Sequence, residues 1–218
     1  FLAARTERIG LSTGILIASV HHPLMLAKRL ATIDVLSGGR MRLGVGVGWM
    51  REELDALDVE FSSRGRRLDE VIDAMRAVWR EDEASFHGEF FDFERVVSRP
   101  RPVQAGGVPI HIGGHSPAAA RRAGRVGDGF QPIGVPVDAL PVRLDLMRRT
   151  AEAAGRDPDG LELTLGAALD GFDEQQLETL RAQGATRIQL SAVSDDLSEL
   201  AEQMWAVSPF IDNGTFGT

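Results

Sequence analysis

A chain of 218 residues, 43% hydrophobic and 26% charged, is long enough to bury one substantial core and defaults to a single domain. Its formal net charge of -8 repels a nucleic-acid backbone or an anionic membrane at long range, so neither is expected as a partner. With no cysteine there is no disulfide frame, iron–sulfur cluster or thiol nucleophile, and with no long apolar run or signal peptide the expected home is the cytoplasm.

Phe1 to Glu7 lacks an initiator methionine and reads as the end of a helix already under way, so residues upstream are expected. Ile9 to Ile17 reads as a strand with unequal faces: Ile9, Leu11, Ile15 and Ile17 on one side, Gly10, Ser12, Gly14 and Leu16 on the other. His22-Pro23 opens a helix through Leu24, Ala27, Leu30, Ala31 and Ile33, and Ser37-Gly38-Gly39 stops it. Met41 to Trp49 is then the stretch on which the reading turns. Leu43, Val45 and Val47 share one face of a strand, while Gly44, Gly46 and Gly48 leave the other bare. Glycines at period two mark close approach of another backbone or of a flat ligand, with tight packing inside a barrel as the competing reading. A dinucleotide fingerprint would need a third glycine where Trp49 stands.

Helical spacing resumes at Arg51 to Leu57 and at Arg66 to Trp79. Around Gly88, Phe86, Phe90, Phe91 and Phe93 crowd without helical period, and Pro100, Pro102 and Gly106-Gly107 follow. Residues 84–107 therefore read as an excursion, a hairpin with a small satellite core and an extended arm. Val108 to Ile112 is a strand running into Gly113-Gly114-His115-Ser116-Pro117. Ser116 is a good N-cap and Pro117 fits the first helical position, so the turn reads either as an anion site or as a plain strand-to-helix turn. A strand near Gly129, a helix from Val137 to Ala154, a strand from Leu161 to Ala168, a helix from Glu174 to Ala182, a strand from Arg187 to Ser191 and a helix from Asp195 to Ala206 complete the chain. The tail from Pro209 to Thr218 carries no usable pattern. Six strands in βα order, starting near positions 9, 41, 109, 129, 161 and 187, become a (β/α)8 barrel if two more precede them.

The single residues have plain readings beside the chemical ones. His21 and His22 precede a helix and suit solvation or capping, and His111 suits a satisfied interior position. Trp49 is either a rim packing residue or a ring neighbour. Glu52 and Glu53 sit where a helix start favours acids. No His-Glu-x-x-His metal pattern and no Gly-x-Ser-x-Gly elbow occurs, so no metal site is expected and the chemistry points to a redox cofactor.

The chain resembles the luciferase-like monooxygenase superfamily of flavin- and deazaflavin-dependent oxidoreductases. The residues that carry this are Arg8 to Gly14, His22-Pro23-Leu24 through Leu36 to Arg40, Leu43 to Trp49, Phe86-His87-Gly88, Pro102-Val103-Gln104, Pro109 to Gly114 and Gly127-Asp128-Gly129. The resemblance implies an α/β fold, a luciferase-like TIM barrel over residues 1–218 that here lacks its first two strands, with the excursion between the fourth and fifth barrel strands. It implies coenzyme F420, or alternatively FMN, and a small organic substrate. It implies a cis peptide bond at Gly14-Ile15 against the cofactor ring, ring or ribityl contacts near Gly48, Trp49 and Glu52, and contacts to the phosphate-bearing tail from Gly113, Gly114 and His115. Relatives supply catalytic side chains from the two missing strands, so no catalytic residue is assigned. A homodimer is the expected assembly. The competing functions are a non-catalytic or cofactor-free barrel remnant that acts as a binding protein, and a sugar-phosphate barrel enzyme.

Overall fold

The computed structural model describes residues 1–192 and 194–212, which fall into two compact units, one over Phe1–His111 and one from Ile112 onward. The elements of the first unit are α1 (Leu2–Arg5), β1 (Leu11–Ser12), β2 (Leu16–Ile17), α2 (Pro23–Ser37), β3 (Met41–Gly46), α3 (Arg51–Ala56), α4 (Arg64–Arg80) and an antiparallel hairpin of β4 (Ala84–His87) and β5 (Asp92–Val96). β6 (Ile110–Gly113) ends this unit and begins the next. The second unit continues with α5 (Pro117–Val126), β7 (Gly129–Gln131), α6 (Leu140–Ala153), β8 (Glu162–Ala168), α7 (Glu174–Ala182), β9 (Arg187–Ser191) and α8 (Leu197–Asp212).

In the first unit β1 and β2 both pair parallel with β3, and the Leu43 amide donates to the Pro109 carbonyl at the foot of β6 at 2.9 Å. Leu43 and Val45 are fully buried, as are the inner faces of α2 (Leu26, Ala27, Leu30, Ala31) and α4 (Leu68, Val71, Ile72, Met75, Val78), and α2 packs on both β3 and α4. Trp79 locks the two helices by donating its indole N–H to the Ala27 carbonyl at 3.1 Å. The helix signals of α2 act as expected. The His22 side chain caps its start, and Gly38 ends it in the left-handed region at φ 68°.

Two polar side chains, a buried Asp34 and a half-buried Arg40, fasten irregular chain to this frame. Asp34, 0% exposed, accepts from the Val103 amide (2.8 Å), the Gln104 amide (3.2 Å) and the Gln104 carboxamide (2.7 Å), so the arm after the hairpin is tied to α2. Arg40 donates to the Ala3, Thr6 and Ile9 carbonyls and to the Thr6 hydroxyl, which holds α1 and the turn after it. The hairpin is ordered in the same way: one Glu70 carboxylate accepts the amides of Glu89, Phe90 and Phe91 at 2.7, 2.9 and 3.3 Å. Phe86 stacks on Phe93 at 6.1 Å and Phe91 is buried, as the satellite core requires.

In the second unit β6, β7, β8 and β9 are successive neighbours, and the β7–β8 and β8–β9 pairs are parallel. Phe130, Leu163 and Leu165 are buried on one face of this sheet with Ala119, Ala120 and Ala123 of α5 and Met147 and Ala151 of α6. α5 and α6 cross closely because Gly124 has no side chain: a Cβ there would lie 2.2 Å from the Met147 carbonyl oxygen.

Two expectations are corrected. Ile9 to Ile17 is not one strand, because the chain breaks pairing at Thr13 to Ile15 and leaves β1 and β2 of two residues each, with Ile9 exposed. α8 runs on to Asp212 through Pro209 rather than stopping at Ala206. Proline lacks the N–H that would reach the Trp205 carbonyl, and the Ser208 hydroxyl donates to that carbonyl instead at 2.9 Å. The rest of the unpatterned tail, from Asn213, lies outside the described residues.

Candidate functional site

On the bare face of β3 the structure chooses between the readings that the sequence leaves open. A Cβ on Gly44 would sit 2.2 Å from the Thr13 carbonyl oxygen, and one on Gly46 would sit 2.5 Å from the Ile15 side chain. The break between β1 and β2 therefore fills the space above these two glycines, and the Thr13 hydroxyl donates to the Gly44 carbonyl at 2.7 Å. Close approach of the chain's own backbone explains Gly44, and close packing of the Ile15 side chain explains Gly46, so a ligand slot explains neither. The Gly14-Ile15 peptide bond at the centre of this break is cis, as the resemblance implies. Gly14 is exposed and Ile15 half-buried.

Gly48 differs from the other two. It is half-buried at φ 82°, a conformation that glycine reaches without strain, and it turns the chain out of β3 toward α3. Trp49, the next residue, is 77% exposed, which answers the rim-packing reading: the indole is not packed away. Glu52 is exposed in the first turn of α3 beside Glu53. Above this turn the guanidiniums of Arg51 and Arg64 lie 4.3 and 3.6 Å from the centre of the Phe61 ring. Arg64 donates from Nε to the Gly48 carbonyl at 3.2 Å. Burial and then the like charge of Arg51 lower the Arg64 pKa, and neither arginine has a carboxylate partner among the described residues. Sequence reasoning passed over this cationic pair. Arg51 opens one expected helix and Arg64 lies just before the next, expected from Arg66, so nothing local joins the two.

Gly14, Ile15, Gly48, Trp49 and Glu52 belong to the first unit, whereas Gly113, Gly114 and His115 belong to the second. There β6 ends at a buried Gly113, and Gly114 turns at φ 124° while its amide donates to the Gln131 carbonyl at 3.1 Å. The Ser116 hydroxyl then accepts the Ala119 amide at 3.1 Å and Pro117 takes the first turn, so α5 begins as the sequence requires. His115 is exposed, and its carbonyl accepts from Arg143 Nε at 2.9 Å. First-turn amides have no carbonyl within their own helix to bond, and they carry the positive end of its dipole. A Cβ on Gly114 would come within 3.3 Å of Ala119 in a conformation side chains rarely adopt, so the turn is built for bare backbone. Its donor set, neutral amides at a helix start, suits a phosphate group.

A second feature of this unit was not anticipated. The registers Leu163 with Phe130, Leu165 with Ile188 and Ala167 with Leu190 put the apolar residues of β7, β8 and β9 on one face. The opposite face carries Glu162, Thr164, Gly166 and Ala168 of β8, and Arg187, Gln189 and Ser191 of β9; continuing the β7 register adds Gln131 beside Thr164. Glu162 and Arg187 form a two-pronged ion pair at 2.7 and 2.8 Å, and Gln131 donates its carboxamide to that of Gln189. The alternation Glu-Leu-Thr-Leu-Gly and Arg-Ile-Gln-Leu-Ser was legible in the sequence as two-faced strands.

Among the described residues no group of His, Asp or Glu is arranged to hold a metal ion, and no helix is long and apolar enough to cross a membrane. Comparison with known proteins shows the family of the chain. The model of the family described as luciferase-like monooxygenase matches residues 1–182. An FMNH2-dependent dimethylsulfone monooxygenase of Pseudomonas putida is 32% identical over 224 residues, covering 97% of this chain and 61% of the relative. An F420-dependent glucose-6-phosphate dehydrogenase of Nocardia farcinica is 36% identical over 191 residues, covering 83% of this chain and 56% of the relative. The structure of an F420-dependent secondary alcohol dehydrogenase superposes with a TM-score of 0.83 at 18% identity, covering 97% of this chain and 82% of the other; at that identity the likeness shows the fold. The chain spans about three fifths of the length of the curated relatives it matches.

Proposed function

The chain belongs to the luciferase-like monooxygenase family of oxidoreductases, with the α/β fold of its TIM barrels, and from that premise we propose that it binds reduced coenzyme F420, or alternatively FMN, and acts with it on a small organic substrate. The observation that carries the proposal is the turn from Gly113 to Ser116 at the start of α5. Both cofactors bear a phosphate, and the amides of His115, Ser116 and Ala118, left over at this helix start once Gly114 and Ala119 are bonded, fit one beside a glycine at φ 124°. The relatives that share the family work with one or the other cofactor, which supports both and favours neither.

When bound, the cofactor supplies hydride transfer, or with a flavin the activation of dioxygen. This chain's residues bind, orient and exclude water. Gly113, Gly114 and His115 would hold the phosphate-bearing tail through backbone groups. Gly48, Trp49 and Glu52, with the cationic pair Arg51 and Arg64 beside them, would meet the ring or its ribityl chain. Gly14 and Ile15 would back the ring, while Gly44 and Gly46 act one layer behind by seating that segment. The reading includes residues 1–218 as one barrel domain, a homodimer and a cytoplasmic home.

The test is retention. The protein is mixed with F420 or with FMN, passed through a gel-filtration column and read by its visible spectrum. The proposal expects one chromophore to co-elute, and Gly114→Val, which strains the turn, to lose at least tenfold in affinity. Failure to retain either cofactor would favour a binding-protein remnant instead.

A further inference from the structure

We propose that the carboxamide pair Gln131 and Gln189, on the polar face of the second unit's sheet, is a substrate subsite that selects neutral hydrogen-bonding molecules, such as ketones, sulfones or amides, over anions. The proposal rests on the oxidoreductase reading and goes further by naming the chemical class of substrate.

The first argument is the polarity of the face itself. Strands of parallel sheets are normally covered on both sides and read as near-continuous apolar runs, yet β8 and β9 alternate strictly, with Thr164, Gly166, Gln189 and Ser191 set against Leu163, Leu165, Ile188 and Leu190. A polar face on such a sheet needs partners.

The second argument is a count of donors. Gln131 is 7% exposed, and the one bond its side chain makes among the described residues is the N–H it donates to the Gln189 oxygen. Two carboxamides bring four N–H donors, so roughly three remain after their mutual bond. Swapping oxygen and nitrogen in both amides leaves the same surplus. The remaining donors suit a carbonyl, sulfonyl or amide oxygen that displaces water from the pair.

Space is the third. Gly166 is in register with Gln189, and a Cβ built on it meets nothing nearer than the Gln189 carbonyl oxygen at 3.9 Å. This is the reverse of Gly44, whose missing side chain is filled by backbone. Gly166, Ala168 and Ser191 are all exposed toward the C-terminal ends of their strands, so β8 and β9 set no bulky side chain beside Gln189 on its C-terminal side. Charge decides the class of occupant. The charged residues of this face, Glu162 and Arg187, neutralise one another through two hydrogen bonds, so an anion entering here would lose its hydration without meeting an uncommitted cation, whereas a phosphate at the α5 turn meets the positive end of a helix dipole.

The experiment uses two isosteric probes, acetamide and acetate, and measures their binding to the full chain by saturation-transfer NMR, with cofactor retention measured separately on the same samples. Acetamide is expected to bind at least tenfold more tightly than acetate. Gly166→Leu, which fills the open space without backbone strain, is expected to abolish acetamide binding while cofactor retention and the melting temperature stay at wild-type values. Gln189→Asn keeps the carboxamide but withdraws it from Gln131, and is expected to weaken acetamide about tenfold, which gives a second reading should Gly166→Leu not fold. Equal binding of the two probes, binding of neither, or acetamide binding undiminished in the folded variants would overturn the proposal. Loss of cofactor retention in the wild-type protein would instead overturn the oxidoreductase reading and leave the probe result standing.

Discussion

At the scale of single residues, the glycines sort by what occupies the place of the side chain they lack. Gly44 gives way to the Thr13 carbonyl at 2.2 Å from the would-be Cβ, so Gly44→Ala must push β3 and the Thr13 to Ile15 segment apart. We expect it to destabilise the fold by about 1 to 3 kcal/mol, read by urea denaturation, whereas Gly166→Ala should sit within about 1 kcal/mol of wild type. Equal stability of the two variants would contradict this assignment. Charge gives a second prediction at this scale. Glu89 accepts two hydrogen bonds from Arg66 at 3.0 Å each, and these hold its pKa below the ordinary value. Because the folded-state value is depressed, the pair's contribution is complete above the ordinary carboxylate range and is lost as pH falls through the lower, folded value. Both side chains are more than half exposed, so that contribution is small. NMR titration of Glu89 should show its pKa moving up in Arg66→Ala.

Elements carry the next level of constraint. α5 is fixed at both ends, by the Ser116 cap and by Arg156, whose guanidinium donates to the Gly124 and Gly127 carbonyls at 2.8 and 2.6 Å. Its flank is fixed as well, by the close crossing at Gly124. Gly124→Val would place side-chain atoms where the Met147 carbonyl stands, 2.2 Å from the would-be Cβ, so α6 must move away. The expected cost is about 2 to 4 kcal/mol, more than for an exposed helical glycine, where a side chain generally stabilises. Because α5 also supplies the amide cradle, the variant should lower cofactor retention together with stability. Normal retention in a destabilised protein would separate the cradle from the crossing.

For the molecule as a whole, a net charge of -8 opposes an approaching phosphate-bearing cofactor until local amides and Arg51 and Arg64 take over at short range. Raising ionic strength from about 0.01 to 0.15 M contracts the screening length from about 30 to 8 Å, so stopped-flow association rates should rise with salt. A steep fall would mean that local cations dominate the encounter. Much of the architecture could be read from the chain beforehand. The caps His22, Gly38 and Ser116, together with apolar runs at strand spacing, are local signals that tertiary context did not override. What escaped were properties of pairs: Gly44 meeting Thr13, Gln131 meeting Gln189, Arg51 sharing a ring with Arg64, and Pro209 tolerated because Ser208 satisfies its neighbour's carbonyl. Each depends on residues distant in sequence or on a side chain standing in for backbone, and no periodicity encodes that. Asp34 is the last such case. By fastening the segment around Val103 and Gln104 to a helix, it clamps the far end of the long insertion, so that end can swing away only if one carboxylate gives up three hydrogen bonds together.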